Sequence, residues 1–358
     1  MTKKQVNKKM SSGFHRKLLS WYDETRRDLP WRRETDPYRI WLSEVMLQQT
    51  RVETVIPYYH RFLAAYPDVS ALASAKQDDV LKLWEGLGYY ARARNFLQAV
   101  REIEESYAGC VPQDPDEFAR LCGVGEYTRA AVASIAFNQP LAVVDGNVKR
   151  VFCRLFNISQ DPAKTVVKKQ ISQLAQDLLD LARPGDYNQA VMELGAVICI
   201  PRSPRCSLCP VSQFCQALSA GKAAELPVRQ KKKKLPVHTL VAAVVIRDGK
   251  CLLRQRVSET LLQGLWELPN VVVSAESETA TQKFSALLGC DVTLGEELMR
   301  LQHAFTHLRW EVTVCCISTI QSKPLAGDWF WAGADDLDRL AFPAVYHPLL
   351  AELKKRLY

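Results

Sequence analysis

Two acids, a pair of glycines and four cysteines have types and spacings that can do chemistry. Glu44 shares a helical neighbourhood with Ile40, Trp41, Leu47 and Gln48. A carboxyl on a mostly apolar helix face has reason to carry a raised pKa, which suits a general acid near neutrality. The plainer alternative is a glutamate at the solvent edge of an amphipathic helix. Asp145 opens Asp145-Gly146-Asn147-Val148-Lys149-Arg150. On such a turn its carboxylate points into a cleft or caps the next helix, and the spacing alone leaves both open. Upstream, Leu121-Cys122-Gly123-Val124-Gly125-Glu126-Tyr127-Thr128 precedes an Ala-rich stretch. Glycines at alternate positions, with a helix starting near Thr128, let backbone N–H groups approach a phosphate. A tight turn between two helices is the competing reading.

Cys199, Cys206, Cys209 and Cys215 are spaced C-x6-C-x2-C-x5-C. Four thiolates hold either a tetrahedral zinc or an iron–sulfur cluster. A single C-x2-C pair flanked by wider gaps fits the cubane better than a zinc ribbon. Arg202 and Arg205 make the loop basic, which suits contact with DNA.

Such residues need a helical frame, and the first half of the chain reads as one. Phe14, Leu18, Trp21 and Tyr22 recur at helical spacing. Helix starts are predicted at Thr35-Asp36-Pro37, Ser74, Asp114-Pro115 and Pro184-Gly185-Asp186. Pro227 to Pro236, with Arg229 and Lys231 to Lys234, reads as a charged linker. Beyond it strands are predicted at Leu240 to Ile246 and Cys251 to Val257, with a tight turn at Asp248-Gly249. Trp310, Val312 and Val314 alternate with Arg309, Glu311 and Thr313, so one strand face is buried. Helices near Ala280 to Leu288 and Tyr346 to Arg356 complete an α+β domain.

The totals agree with two domains and a polyanionic partner. The chain has 358 residues, 47% of them hydrophobic, and a formal charge of +8. No secretory signal is read at the basic N-terminus. The longest apolar run, Leu240 to Ile246, is too short to span a bilayer. Eleven cysteines, four of them clustered and without a signal, point to a reducing compartment and a metal site. A cytoplasmic, nucleoid-associated protein of prokaryotic origin is expected.

Taken together, the cluster spacing, the Gly-Val-Gly hairpin and Asp145 resemble the helix-hairpin-helix DNA glycosylases with an iron–sulfur cluster. Within them the chain is most similar to the adenine DNA glycosylase (MutY) family. Trp41-Leu42-Ser43-Glu44-Val45-Met46-Leu47-Gln48-Gln49-Thr50 and Gly86-Leu87-Gly88-Tyr89-Tyr90-Ala91-Arg92-Ala93-Arg94 carry the resemblance with those motifs, in family order. The second half resembles the family's Nudix (MutT-like) domain more loosely.

The resemblance implies a mainly α, two-lobed helix-hairpin-helix domain over 1–225 with a [4Fe–4S] cluster loop at 199–215. A basic linker over 226–237 and a MutT-like recognition domain over 238–358 follow. It implies that Glu44 protonates adenine and that Asp145 stabilises or attacks the sugar cation, with Asn147 orienting the site and Tyr127 facing the sugar. Arg27 and Trp31 match the adenine pocket. Gln49, Leu87 and Tyr89 match the wedge that fills the gap left by a flipped base. Gly123, Val124, Gly125 and Lys149 match the DNA-backbone contacts. Phe305-Thr306-His307 resembles the family's Phe-Ser-His loop for 8-oxoguanine, with Thr306 in place of serine. Cys199, Cys206, Cys209 and Cys215 would bind the cluster.

The implied activity is monofunctional excision of adenine opposite 8-oxoguanine, and more weakly opposite guanine, by a monomer acting on double-stranded DNA. A bifunctional pyrimidine glycosylase is the runner-up. It needs a lysine where Tyr127 stands. A non-catalytic iron–sulfur DNA sensor would leave Glu44 and Asp145 without purpose. A nucleotide hydrolase is ruled out on ligand supply. After Gly264-Leu265-Trp266-Glu267-Leu268-Pro269, the segment Gln282-Lys283-Phe284-Ser285-Ala286-Leu287-Leu288-Gly289 lacks the metal-binding acids.

Overall fold

The structure is a computed structural model that describes residues 3–228, 234–258, 261–273, 279–319 and 329–357. Arg229 and Lys231 to Lys233 of the expected linker therefore lie outside the described residues. The chain divides into two compact units: Met1–Ala73 with Gln98–Lys232, and Ser74–Leu97 with Lys233–Tyr358. A boundary at residue 225 does not anticipate the placement of Ser74–Leu97. Polar contacts account for it. Lys82 Nζ donates to the Leu340 carbonyl at 2.9 Å. Glu85 Oε1 accepts from the Phe342 N–H at 2.7 Å, and Gln255 Nε2 donates to Asp78 Oδ1 at 3.0 Å.

Helices follow in order: α1 Lys3–Thr25, α2 Pro37–Leu47, α3 Val52–Ala65, α4 Val69–Ala73, α5 Gln77–Trp84 and α6 Ala91–Ser106. Next come α7 Pro115–Phe118, α8 Glu126–Phe137, α9 Gly146–Leu155, α10 Thr165–Asp177, α11 Pro184–Val197 and α12 Gln216–Ser219. The predicted starts at Pro37, Pro115 and Pro184 hold. The one at Ser74 does not: α5 begins at Gln77, behind an extended Lys76. Asp36 caps α2 by accepting from the Tyr38 N–H at 2.9 Å, a contact worth about 1 kcal/mol. In the first unit, Phe14, Leu18 and Tyr22 of α1 are wholly buried with Phe152 of α9, Ile171 of α10 and Leu194 of α11. Fully burying a large apolar side chain contributes roughly 1.5–3 kcal/mol. That core fixes α9 and α11, which supply half of the site below.

The second unit carries strands β1 Val237–Val244, β2 Ile246–Arg247, β3 Lys250–Gln255, β4 Trp266–Glu267, β5 Asn270–Val272, β6 Val292–Ala304, β7 Arg309–Thr319 and β8 Trp329–Ala332. Helices α13 Ala280–Leu288, α14 Ala334–Arg339 and α15 His347–Leu357 complete it. One sheet has the order β5-β1-β7-β6, with β1 and β7 parallel and the other pairs antiparallel. The other pairs β3 with β2, β4 and β8. The expected turn at Asp248-Gly249 joins β2 to β3, and both residues take positive φ, at 49° and 68°, as a two-residue hairpin requires. Trp310, Val312 and Val314 are buried as their alternation predicts. The length of β6 and the parallel pairing are long-range features that no local pattern announces. Among the described residues no helix is long and apolar enough to cross a membrane.

Candidate active site and cluster loop

Glu44 sits on α2, which packs against α8. It is 5% exposed, so it lies on the buried side of its helix. Tyr127 comes from the first turn of α8, and its hydroxyl donates to Glu44 Oε2. Helix α8 begins at Glu126, two residues before the expected start, behind an extended Gly125. Asp145 is the cap of α9: its Oδ1 accepts from the Val148 N–H at 2.6 Å. Its Oδ2 accepts from Asn147 Nδ2 at 2.8 Å. The two readings of Asp145 are thus both realised, because the capping carboxylate also faces a cavity.

That cavity, about 170 Å³, is lined by Glu44, Tyr127, Asp145, Asn147, Arg27 and Trp31 among others. It is well below the roughly 300–1,000 Å³ of sites that engulf larger ligands, which suits a single base. Burial pushes the Glu44 carboxyl up to about 7, opposed by the Tyr127 hydrogen bond and assisted by the charge of Asp145. Burial also raises Asp145, against the bonds from Val148 and Asn147. Burial and the neighbouring Glu44 hold the Tyr127 phenol far above its ordinary value, so it stays a donor. Trp31 is buried and meets Tyr59 edge-on at 5.6 Å.

The sequence reading missed Arg32 and Glu193, which line the same cavity. Arg27 donates to Glu193 through Nε at 2.8 Å and Nη2 at 2.7 Å, and Arg32 Nη2 donates at 2.7 Å. Burial pushes Glu193 up, but the two arginines outweigh it and hold it at about 2. The site therefore pairs a neutral-leaning acid, Glu44, with a fixed anion, Glu193. Glu193 carried the same sequence signal as Glu44: a lone acid within Ala190-Val191-Met192-Glu193-Leu194-Gly195.

Other predicted residues fall elsewhere. Gly123 turns the hairpin at φ 77°; Gly123 and Gly125 are exposed, and Val124 and Lys149 are half-buried. Gln49 is exposed after α2 and is not among the residues lining the Glu44 cavity. Gln49 and Tyr89 both have left-handed backbones, at φ 58° and 49°. This conformation is strained for such residues and clusters at functional sites. In the second unit Leu87, Tyr89, Phe305, Thr306 and His307 line one cavity of about 540 Å³. Phe305 to Leu308 form the turn between β6 and β7, closed by the Phe305 N–H on the Leu308 carbonyl at 2.8 Å. Thr306 and His307 are exposed at its tip.

The four cysteines line one cavity with Arg154, and none of them is in a disulfide. Arg154 is 1% exposed. It donates to the carbonyls of Leu226 at 2.8 Å and Ile200 at 2.8 Å, and to Cys199 Sγ at 3.2 Å. Among the described residues it makes no ion pair with a carboxylate. A buried guanidinium needs a counter-charge, and a cluster held by four thiolates supplies one. The donor set fits a [4Fe–4S] group. Arg150 joins this loop to the Glu44 cavity, donating to the Cys199 carbonyl at 2.7 Å and Asn147 Oδ1 at 2.9 Å. Helices α9 and α11 approach closely there. A Cβ on Gly195 would stand 2.6 Å from that of Asn147.

Family profiles define the class first. Residues 42–177 match the HhH-GPD superfamily of base excision DNA repair proteins. Residues 199–215 match the iron-sulfur binding domain of endonuclease III, and 241–352 the NUDIX domain. The cofactor is accordingly a [4Fe–4S] cluster. A thermostable thymine-DNA glycosylase structure is 31% identical, covering 60% of this chain and 98% of that one, with a TM-score of 0.55. A trapped endonuclease III–DNA intermediate shares the fold at 22% identity and a TM-score of 0.51, over 62% and 99% of the two chains.

Curated relatives of this chain carry the name adenine DNA glycosylase. The Rattus norvegicus protein is 38% identical, over 83% of this chain and 69% of its own length. The Homo sapiens protein is 37% identical, over 83% and 65%. The Schizosaccharomyces pombe protein is 32% identical, over 96% and 90%. The chain belongs to the adenine DNA glycosylase family.

Proposed function

We propose that this chain is a monofunctional DNA glycosylase that excises adenine opposite 8-oxoguanine, and more slowly opposite guanine. The supporting observation is that Glu44, bonded by Tyr127 and raised to about 7, shares one base-sized cavity with Asp145. A protonated Glu44 gives its proton to the adenine ring and makes the base a better leaving group. As the N-glycosidic bond breaks, Asp145 stabilises the cation on the sugar, held in place by Asn147 and the Val148 amide. Water then completes the hydrolysis and leaves an abasic site. Tyr127 faces the sugar and keeps its proton, so no amine is offered for strand cleavage.

Arg27 and Trp31 receive the flipped base. Gln49, Leu87 and Tyr89 fill the gap it leaves. Gly123, Val124, Gly125 and Lys149 hold the backbone phosphates. Phe305, Thr306 and His307 read the opposite 8-oxoguanine. Cys199, Cys206, Cys209 and Cys215 hold the cluster, which shapes the basic loop of Arg202 and Arg205. The working arrangement is a glycosylase domain to residue 225, a linker over 226–237 and a recognition domain from 238, acting as a monomer on DNA. Relatives come from mammals, a plant, fission yeast and bacteria alike, which lends a prokaryotic origin no support.

The test is incubation with a duplex holding adenine opposite 8-oxoguanine, with and without borohydride. Strand breaks that appear only after alkali, with no trapped adduct, are expected. Breaks without alkali, or a borohydride-trapped adduct, point instead to a bifunctional enzyme. Tight binding with no abasic sites points to a sensor.

A further inference from the structure

Glu267 on β4 is wholly buried, and a carboxylate without solvent needs partners. It has two. Arg254, its registered neighbour on β3, donates to Oε1 at 2.8 Å, and Arg256 Nη1 donates to Oε2 at 2.7 Å. Arg256, 7% exposed, reaches further than the ion pair. Its Nε donates to the Leu261 carbonyl at 2.9 Å. Its backbone N–H donates to the Leu265 carbonyl at 2.9 Å, and its carbonyl accepts from Gly264 at 2.7 Å. The turn it grips carries Leu261 and Leu262, which line the 540 Å³ cavity.

The guanidinium also lies over the Trp310 ring, 5.7 Å from its centre, within cation–π range. Trp310 meets Phe305 edge-on at 5.0 Å. Across the ladder from Trp310 stands His303, which meets Phe305 edge-on at 4.6 Å. Phe305 lines the same cavity. One buried arginine therefore bonds one lining residue, Leu261, and reaches a second, Phe305, through Trp310, and its own position is fixed by a buried carboxylate.

We propose that Arg256 is a positioning residue for recognition of the opposite base, tying Leu261 and, through Trp310, Phe305 to the buried Glu267. This rests on the reading that Phe305-Thr306-His307 contacts that base. Arg254 alone supplies Glu267 with one counter-charge. The second arginine sets the width and aim of the cavity. A planar guanidinium presents its N–H donors in a fixed fork in its own plane while its face lies over an aromatic ring, a geometry an ammonium lacks.

The test compares the full chain with three variants: Arg256→Met, which leaves Glu267 paired with Arg254, Trp310→Leu, which strands no charge, and Phe305→Ala. Single-turnover excision of adenine is measured opposite 8-oxoguanine and opposite guanine, with a melting curve for each protein. The first two variants are expected to lower the ratio of the two rates by about tenfold, with the rate opposite guanine within about twofold of wild type. A native ratio in both, or in whichever of them folds, overturns the proposal if Phe305→Ala has lost the preference. A native ratio in Phe305→Ala overturns the opposite-base reading itself, and the role of Arg256 with it.

Discussion

The Tyr127 hydroxyl of α8 donates its proton to Oε2 of Glu44 on α2. That bond favours the ionised carboxylate, whereas burial and the nearby Asp145 favour the neutral acid. Burial outweighs the bond, and Glu44 rests at about 7. An acid poised there can be protonated at rest and still give up its proton.

The pH dependence of stability follows with a definite sign. Between about 4.5 and about 7 the native Glu44 holds a proton that the unfolded chain has lost. Glu44 therefore costs stability as pH rises through that window, up to about 3 kcal/mol above it. Glu44→Gln carries no charge at any pH. It should melt higher than wild type at pH 8 and alike near pH 4, with excision reduced by about 10²–10⁴-fold. Calorimetry at the two pH values, with an excision assay, checks both.

Tyr127→Phe removes the donor but keeps the ring. The Glu44 carboxyl then moves further up, because the lost bond was lowering it. The alkaline fall of the excision rate should shift to higher pH, read from a pH–rate profile under single turnover. An unchanged profile would show that the hydroxyl does not act on Glu44.

Asp145 caps α9 as well as facing the cavity, and two substitutions separate these tasks. Asn caps helices about as well as Asp, whereas Ala loses about 1 kcal/mol. Asp145→Asn should keep the wild-type melting temperature and lose excision. Asp145→Ala should lose both. Melting curves and adenine release from the same preparations decide it.

Arg154 makes no ion pair with a carboxylate among the described residues and bonds Cys199 Sγ at 3.2 Å. Arg154→Met should speed iron loss to a chelator by about 10–100-fold. The reading is iron released against time, with absorbance of the cluster beside it.

Local chemistry made much of this molecule legible in the chain. The capped starts at Asp36-Pro37 and Asp114-Pro115, the Asp248-Gly249 turn and the cysteine spacing depend on neighbours within a few residues. The burial of Glu44 was one of two readings its apolar helix neighbours allowed, and the resemblance chose between them. Glu193 has the same pattern, but its arginine partners stand far off in sequence at 27 and 32. The affinity of Ser74–Leu97 for the second unit rests on scattered contacts such as Lys82 with Leu340. Arg256 looks like any strand-end arginine until Trp310 and Leu261 are placed beside it.

The most direct measurement is single-turnover release of adenine from three duplexes, with adenine opposite 8-oxoguanine, opposite guanine and opposite thymine. Fast release from the first, slower from the second and none from the third is the predicted result. Equal release from all three, or none from any, contradicts the account.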